Sequence, residues 1–249
     1  MERGQEKQQG KRRPEKRLKE RKRPSGIGII GGTFNPVHLG HLRVAEEVRE
    51  TMGLEKVLFV PAGTPPLKGS SGLVPARKRL EMVKLAVAGN PFFEASDLEC
   101  GKPGPSYTVN TIEKLSEMHP GRRLFFITGT DVFLDLHLWW RPDRLIELAD
   151  FVVVSRPGYT FAGVPGSPFV LKEKDLSKKK RQIAALEAQP TGRPVRLRLA
   201  SGRVLHLVKV TGLDIAARQI RALLKAGRSP RYLLPEQVLS FIIQNKIKF

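Results

Sequence analysis

Between Gly31 and His41 the chain reads Gly-Gly-Thr-Phe-Asn-Pro-Val-His-Leu-Gly-His. His38 and His41 are three residues apart, so on a helix they share one face of a single turn. Gly31 and Gly32 let backbone amides approach a ligand closely. A helix start adds N–H groups with no intrahelical partner and the positive end of the peptide dipole. Close glycines, a helix start and two imidazoles together suit a polyphosphate. Gly40, between the histidines, is expected to leave room for something bulky. The same histidines as metal ligands would want a third donor, and neither Cys100 nor His119 is a convincing one. Phosphate binding is the reading that fits, with no metal site built by the protein itself.

A second glycine pattern, Gly26-Ile-Gly28-Ile-Ile-Gly31, matches G-x-G-x-x-G by letter. A dinucleotide-binding turn needs a strand before its first glycine and a helix after its second. Here a charged tail precedes Gly26 and the glycines fall within or after an apolar run, so no dinucleotide turn is expected.

These residues must be held by a scaffold, and its rhythm is legible. Ile27 to Ile30 reads as a strand and Leu39 to Met52 as a helix, with Leu42, Ala45 and Val48 at helical spacing. Lys56 to Val60 is the next strand. Pro61 to Pro75 holds four Pro and three Gly and reads as a loop. Arg77 to Ala88 is helical, Phe92 to Asp97 a strand, and Thr108 to Met118 a helix opened by the capping types Ser106 and Thr108. Leu124 to Thr128 and Phe151 to Val154 are strands. Ile215 to Lys225 and Pro235 to Asn245 are helical. Alternating strands and helices predict a doubly wound α/β fold with a parallel sheet, Rossmann-like, ending in a helical C-terminal part. Ligands in such sheets bind beyond the carboxyl ends of the strands.

Two segments break the rhythm. Residues 1–24 carry a net charge of +7 and almost nothing to bury, which predicts a disordered basic tail ahead of one domain at 25–249. Thr160 to Arg203 holds a Lys-rich run from Lys172 to Arg181. It reads as a basic insertion at about residues 160–205 with little core, containing a hairpin from Val195 to Val208 around Ser201-Gly202.

The bulk numbers bound the class. At 249 residues with 40% apolar content, the chain supports a sizeable core. One cysteine, Cys100, permits no intrachain disulfide and fits a reducing cytoplasm. No apolar run is long enough for a membrane span, so no membrane partner is expected. The net charge of +20 suits polyanionic small substrates or nucleic acid. Nucleic acid is expected only through the basic tail, and homo-oligomerisation is left open.

The segment Gly-Thr-Phe-Asn-Pro-Val-His-Leu-Gly-His resembles the signature of the HxGH nucleotidyltransferase superfamily. That resemblance implies direct in-line attack on a nucleoside triphosphate, with no covalent enzyme intermediate. Gly31, Gly32, Thr33, Phe34, Asn35, His38, Gly40 and His41 would line the ATP site. The two imidazoles would stabilise charge on the α-phosphate and the leaving pyrophosphate. Mg²⁺ would ride on the triphosphate, held mostly by its oxygens and water. Further stretches are similar to nicotinate-nucleotide adenylyltransferases: Pro61-Ala-Gly-Thr-Pro-Pro-Leu-Lys68, Pro105-Ser-Tyr-Thr-Val-Asn-Thr111, Gly129-Thr-Asp131, and Trp139-Trp140 with Arg156-Pro-Gly158. Ser106, Tyr107 and Thr108 would hold nicotinate mononucleotide, whose carboxylate suits the helix start at Thr108. Trp139 or Trp140 would stack on the pyridine ring. Lys68 would clamp the mononucleotide phosphate and act in catalysis. Gly129 and Asp131 would meet the nucleotide, with Asp131 accepting from a hydroxyl.

The chain departs from that family pattern in three places. Leu67 stands where a His is usual, and Ala62 where a polar residue is common. The C-terminal motif, normally Ile-Ser-x-Thr-x-Ile-Arg, is Ile215-Ala-Ala-Arg-Gln-Ile-Arg221, so two hydroxyls that meet ATP phosphates are missing. Arg221 is kept, catalytic by resemblance, and Ile215 and Arg218 remain beside the ATP. A neutral hydrogen bond is worth about 0.5–1.5 kcal/mol net. The loss of two predicts an active enzyme weakened on the order of tenfold to a hundredfold. Two alternatives stand beside this reading: nicotinamide mononucleotide as acceptor, and a catalytically weak relative that binds nucleotide or RNA. Absent pyrophosphate release with salt-dependent RNA binding would mark the latter.

Overall fold

The computed structural model describes residues 26–66, 72–172, 174–189 and 192–249. The basic tail and Lys68 lie outside the described residues.

One mixed sheet of seven strands runs through the molecule. In chain order they are β1 (Gly26–Gly32), β2 (Lys56–Pro61), β3 (Phe93–Ala95), β4 (Arg123–Gly129), β5 (Asp150–Val154), β6 (Val195–Arg198) and β7 (Val204–Val208). In space the order is β3-β2-β1-β4-β5-β7-β6, with every pairing parallel except β6 with β7. The order reverses between β1 and β4, which opens a crevice at their carboxyl ends. The strands are apolar on both faces because both faces are covered. Ile27, Ile29, Phe126 and Phe151 face one apolar cluster; Val57, Phe59, Phe125 and Val152 face the other.

The second cluster is roofed by α1 (Leu39–Met52), α2 (Ala76–Val87), α7 (Ala217–Lys225) and α8 (Glu236–Gln244). The first is roofed by α3 (Thr108–Met118), α4 (Thr130–Leu134), α5 (Pro142–Leu148) and α6 (Leu176–Ala188). The expected helices α1 and α3 stand at their predicted bounds, while the short α4 and α5 were not expected. Their five and seven residues are too few to print a clear 3.6-residue period in the sequence.

Gly26 and Gly28 sit inside β1, as the context argument requires. A Cβ on Gly28 would come within 2.9 Å of the Leu54 side chain and 3.0 Å of Ile127. These glycines serve sheet packing, not a pyrophosphate.

One expectation needs correction. The stretch from Thr160 to Arg203 contributes substantial core. Phe161, Val164, Phe169, Ile183, Leu186 and Leu197 are all buried in the first cluster. Its hairpin forms as β6 and β7, and β7 pairs with β5 in parallel, extending the main sheet. The Lys-rich run misled because it leads into α6 and its later part, Lys178 to Arg181, falls on the outer side of that helix, where only every third or fourth residue, here Ile183 and Leu186, turns inward.

Candidate active site

A cleft of about 880 Å³ opens at the switch point between β1 and β4. Its walls come from the turn after β1, the starts of α1, α3 and α7, and the segments after β2, β4 and β5. Among the described candidates it brings together Gly31, Gly32, Thr33, Phe34, Asn35, His38, Gly40, His41, Ser106, Tyr107, Thr108, Gly129, Trp139, Trp140, Ile215, Arg218 and Arg221. Asp131 does not line it.

On the phosphate side, His38 is the N-cap residue of α1 and is buried. His41 lies one turn on, and its Nδ1 accepts the backbone N–H of His38 at 3.2 Å. That bond leaves the His41 ring proton on Nε2. The rings are stacked with centroids 3.7 Å apart. Phe34 holds His41 from beneath, edge to face at 5.0 Å. Burial, with the nearby Arg156 cation, pushes the His38 pKa down to about 4. His38 is therefore a neutral imidazole at pH 7, and its Nδ1 has no hydrogen-bond partner among the described residues. A neutral ring still donates one N–H to a phosphate oxygen.

Two sequence expectations change here. Gly40 makes room for the His38 ring itself, since a Cβ at Gly40 would lie 3.1 Å from His38 Nδ1. The start of α1 is also less open than expected, because the Leu39 amide donates to the Leu233 carbonyl at 3.0 Å. The segment ahead of α8 packs over that helix end and takes the bond. The imidazoles, the Gly31–Thr33 turn and the second helix start, that of α7, line the cleft.

At α7, Ile215, Ala216, Ala217, Arg218 and Arg221 line the cleft. Gln219 Oε1 accepts the Ala216 amide at 2.8 Å and orders this helix start. Arg221 donates to the Asn35 carbonyl at 2.9 Å, which fixes it beside the β1–α1 turn. The Asn35 side chain is spent on structure: it donates to the Gly72 carbonyl and accepts the Val74 amide.

On the other side, Tyr107 is the N-cap residue of α3, and no side chain caps this helix. Ser106 does not cap it as its residue type suggests. Its Oγ accepts the amides of Gly63 (2.9 Å) and Thr64 (3.2 Å), tying the loop after β2 to the start of α3. The Asn110 amide donates to the Tyr107 carbonyl at 3.1 Å, while those of Thr108 and Val109 have no helical carbonyl before them and suit an anion. Tyr107 stacks on Trp140 at 5.4 Å, and Trp140 is 57% exposed. Trp139 packs edge to face on Phe126. Of the pair, Trp140 has the open ring face.

Asp131 sits in the first turn of α4 and faces Arg156, its Oδ2 accepting from Arg156 Nη1 at 2.7 Å. Its Oδ1 is buried with no partner among the described residues, 2.5 Å from where a Cβ on Gly129 would stand. The cleft-lining group is Arg156, absent from the expected site although it follows the buried strand Asp150–Val154. A cation placed just past the carboxyl end of a buried strand was the signal for it. Glu99, whose Oε1 accepts from Thr111 Oγ1 at 2.5 Å, also lines the cleft. Nothing local in the sequence marked it.

No cluster of three or more His, Cys, Asp or Glu side chains among the described residues could cage a metal ion. A divalent cation entering with a nucleotide would keep phosphate oxygens and water as its main ligands. Among the described residues no helix is long and apolar enough to cross a membrane.

Residues 29–208 match the family model described as cytidylyltransferase-like. A Geobacter sulfurreducens protein named "Probable nicotinate-nucleotide adenylyltransferase" is 44% identical over 222 residues, covering 88% of this chain and 96% of that one. A Pelobacter propionicus protein of the same name is 40% identical over 221 residues, covering 89% and 97%. Among solved structures, Plasmodium falciparum nicotinic acid mononucleotide adenylyltransferase complexed with NaAD is similar with a TM-score of 0.64. The match covers 90% of this chain and 97% of that one at 16% identity, a likeness of fold.

Proposed function

The chain belongs to the nicotinate-nucleotide adenylyltransferase family, and on that footing we propose that it transfers the adenylyl group of ATP to the phosphate of nicotinate mononucleotide. The products are nicotinate adenine dinucleotide and pyrophosphate, a step in NAD biosynthesis. The observation that carries the reading is one continuous cleft with a phosphate wall at His38, His41 and Arg221 and a pyridine wall at Thr108 and Trp140.

The chemistry is displacement at phosphorus. An oxygen of the mononucleotide phosphate attacks the α-phosphorus of ATP, and the bond from that phosphorus to the bridging oxygen breaks. The electron pair leaves with pyrophosphate. The protein supplies placement and charge stabilisation rather than a covalent partner. Neutral His38, together with His41, donates N–H bonds to the α-phosphate and the leaving group. Arg221 and Arg218 replace with charge what the missing hydroxyls would give as neutral bonds. Arg156 adds a third cation on this wall. ATP enters as its Mg²⁺ complex, the metal belonging to the substrate. The first-turn amides of α3 hold the nicotinate carboxylate while Trp140 covers the ring. Lys68 clamps the acceptor phosphate. The cytoplasm, where ATP is made, is the compartment that fits.

The test is pyrophosphate release with ATP, Mg²⁺ and either nicotinate or nicotinamide mononucleotide. The expected result is release with both and a kcat/KM clearly in favour of the acid. No release with either acceptor removes the reading; a preference for the amide moves the carboxylate role away from Thr108.

A further inference from the structure

The largest fully buried side chain among the described residues is a cation. Arg79, on α2, is 0% exposed. Among the described residues no carboxylate lies within ion-pair distance of it. Its guanidinium is spent on three backbone carbonyls. Nε donates to Val74 at 2.7 Å, Nη1 to Thr33 at 2.7 Å and Nη2 to Gly63 at 2.8 Å.

Of these three residues Thr33 lines the cleft, while Gly63 and Val74 stand behind it in the segments that lead to the other wall. Thr33 lies in the turn that carries Asn35 and leads to His38. Gly63 lies in the loop bonded to Ser106, just ahead of Tyr107 and Thr108. Val74 lies just ahead of α2. Gly63 is also packed so closely on the Glu99 carbonyl that a Cβ there would collide with it. Arg79 itself does not line the cleft.

The Glu99 carboxylate acts on Arg79 only from beyond ion-pair distance; burying a charge so weakly compensated is costly, and a cross-brace built only for stability would do as well with neutral groups. What a guanidinium adds is a planar fork with donors at fixed spacing, permanently charged. The strand register and the Ala62 amide's bond to the Gly32 carbonyl at 2.8 Å bring the two segments side by side, and the fork extends that alignment one residue further by bonding Thr33 and Gly63 at once.

We propose that Arg79 is a positioning residue: it fixes the phosphate wall against the acceptor wall, so that the acceptor phosphate stands in line with the α-phosphorus. The role rests on the adenylyl transfer proposed above. Arg79 touches neither substrate and moves no proton. Its effect falls on the approach of the two reactants, where a displacement of about 1 Å can cost on the order of a hundredfold in rate.

The test compares Arg79→Lys and Arg79→Gln in the full chain with the parent. A lysine keeps the charge but lacks the planar fork that sets two donors at fixed spacing. Folding is followed by circular dichroism, ATP and nicotinate mononucleotide binding separately by calorimetry, and kcat with both substrates saturating. The expected result is folded variants that bind each substrate within about threefold of the parent, with kcat lower by about tenfold to a hundredfold. A folded variant with kcat within about threefold of the parent overturns the role. So does a loss of kcat matched by an equal loss of each affinity, which marks a collapsed cleft. Failure of both variants to fold assigns Arg79 to the fold alone and also overturns it. If the parent releases no pyrophosphate, the reaction itself falls and takes this role with it.

Discussion

The imidazoles of His38 and His41 lie stacked, ring centroids 3.7 Å apart and planes 29° from parallel, and the His41 Nδ1 accepts the His38 amide. Each ring therefore fixes the other, and both arrive at the cleft as one unit. Burial, with the Arg156 cation nearby, lowers the His38 pKa to about 4 and keeps this ring neutral at pH 7. In the proposed reaction the stacked pair would be preorganised, available without rearrangement when charge develops on the phosphates.

Replacing His41 with Ala removes a donor and the acceptor for the His38 amide, while His41 itself contributes no fully buried apolar surface. The expected outcome is a folded protein with kcat lower by about a hundredfold to a thousandfold. Pyrophosphate release by the purified variant checks this, and normal turnover would overturn the assignment.

His38 and His206 both have pKa values pushed down to about 4, chiefly by burial. The unfolded chain takes up these protons near pH 6.5, well before the folded one. Above pH 6.5 neither group costs stability; as pH falls from 6.5 toward 4 the unfolded state gains protons and the fold loses stability. The loss is up to about 3 kcal/mol per histidine. Urea unfolding at pH 7.5 and pH 4.5 measures it, and His206→Asn should remove part of the difference. Equal stability at both pH values would contradict the burial of these rings.

Gly40→Ala puts a methyl 3.1–3.2 Å from the His38 imidazole, with the Ile215 carbonyl 3.7 Å away on the other side. Ala is otherwise the better helix former, by about 1 kcal/mol. The expected result is little change in melting temperature and a raised KM for ATP, because the ring and not the helix must shift. An unchanged KM would show that the His38 ring position is immaterial.

Arg156 lines the cleft, pairs with Asp131 at 2.7 Å and helps hold the His38 pKa down. In Arg156→Ala the His38 pKa should rise, as read from its imidazole proton resonance across pH. ATP affinity should fall by about tenfold or more at low salt, and by less at high salt where screening already weakens the cation. An ATP affinity that does not move would place Arg156 outside the nucleotide site.

Much of this was legible in the sequence because it is local. Gly31 to His41 carries its own chemistry, and the long helices α1 and α3 declare themselves by a full apolar period. The exclusion of a dinucleotide turn at Gly26 needed only the order of strand and tail. Misreadings came where a residue's partner lies far along the chain. Ser106 looks like a helix cap but bonds Gly63, 43 positions away. The run at Lys172 to Arg181 looks like solvated surface, yet the segment holding it buries Phe161 and Leu186.

By itself the sequence determined the alternation of strands and helices, the glycine turn and the paired histidines, since each depends on residues within a few positions of one another. Only the tertiary structure decided that Arg156, not Asp131, faces the cleft, that the α1 start is partly closed by Leu233, and that Arg79 spans Thr33 and Gly63. Those outcomes are set by which backbone and side-chain polar groups must find partners once water is excluded, and sheet order alone brings such partners together.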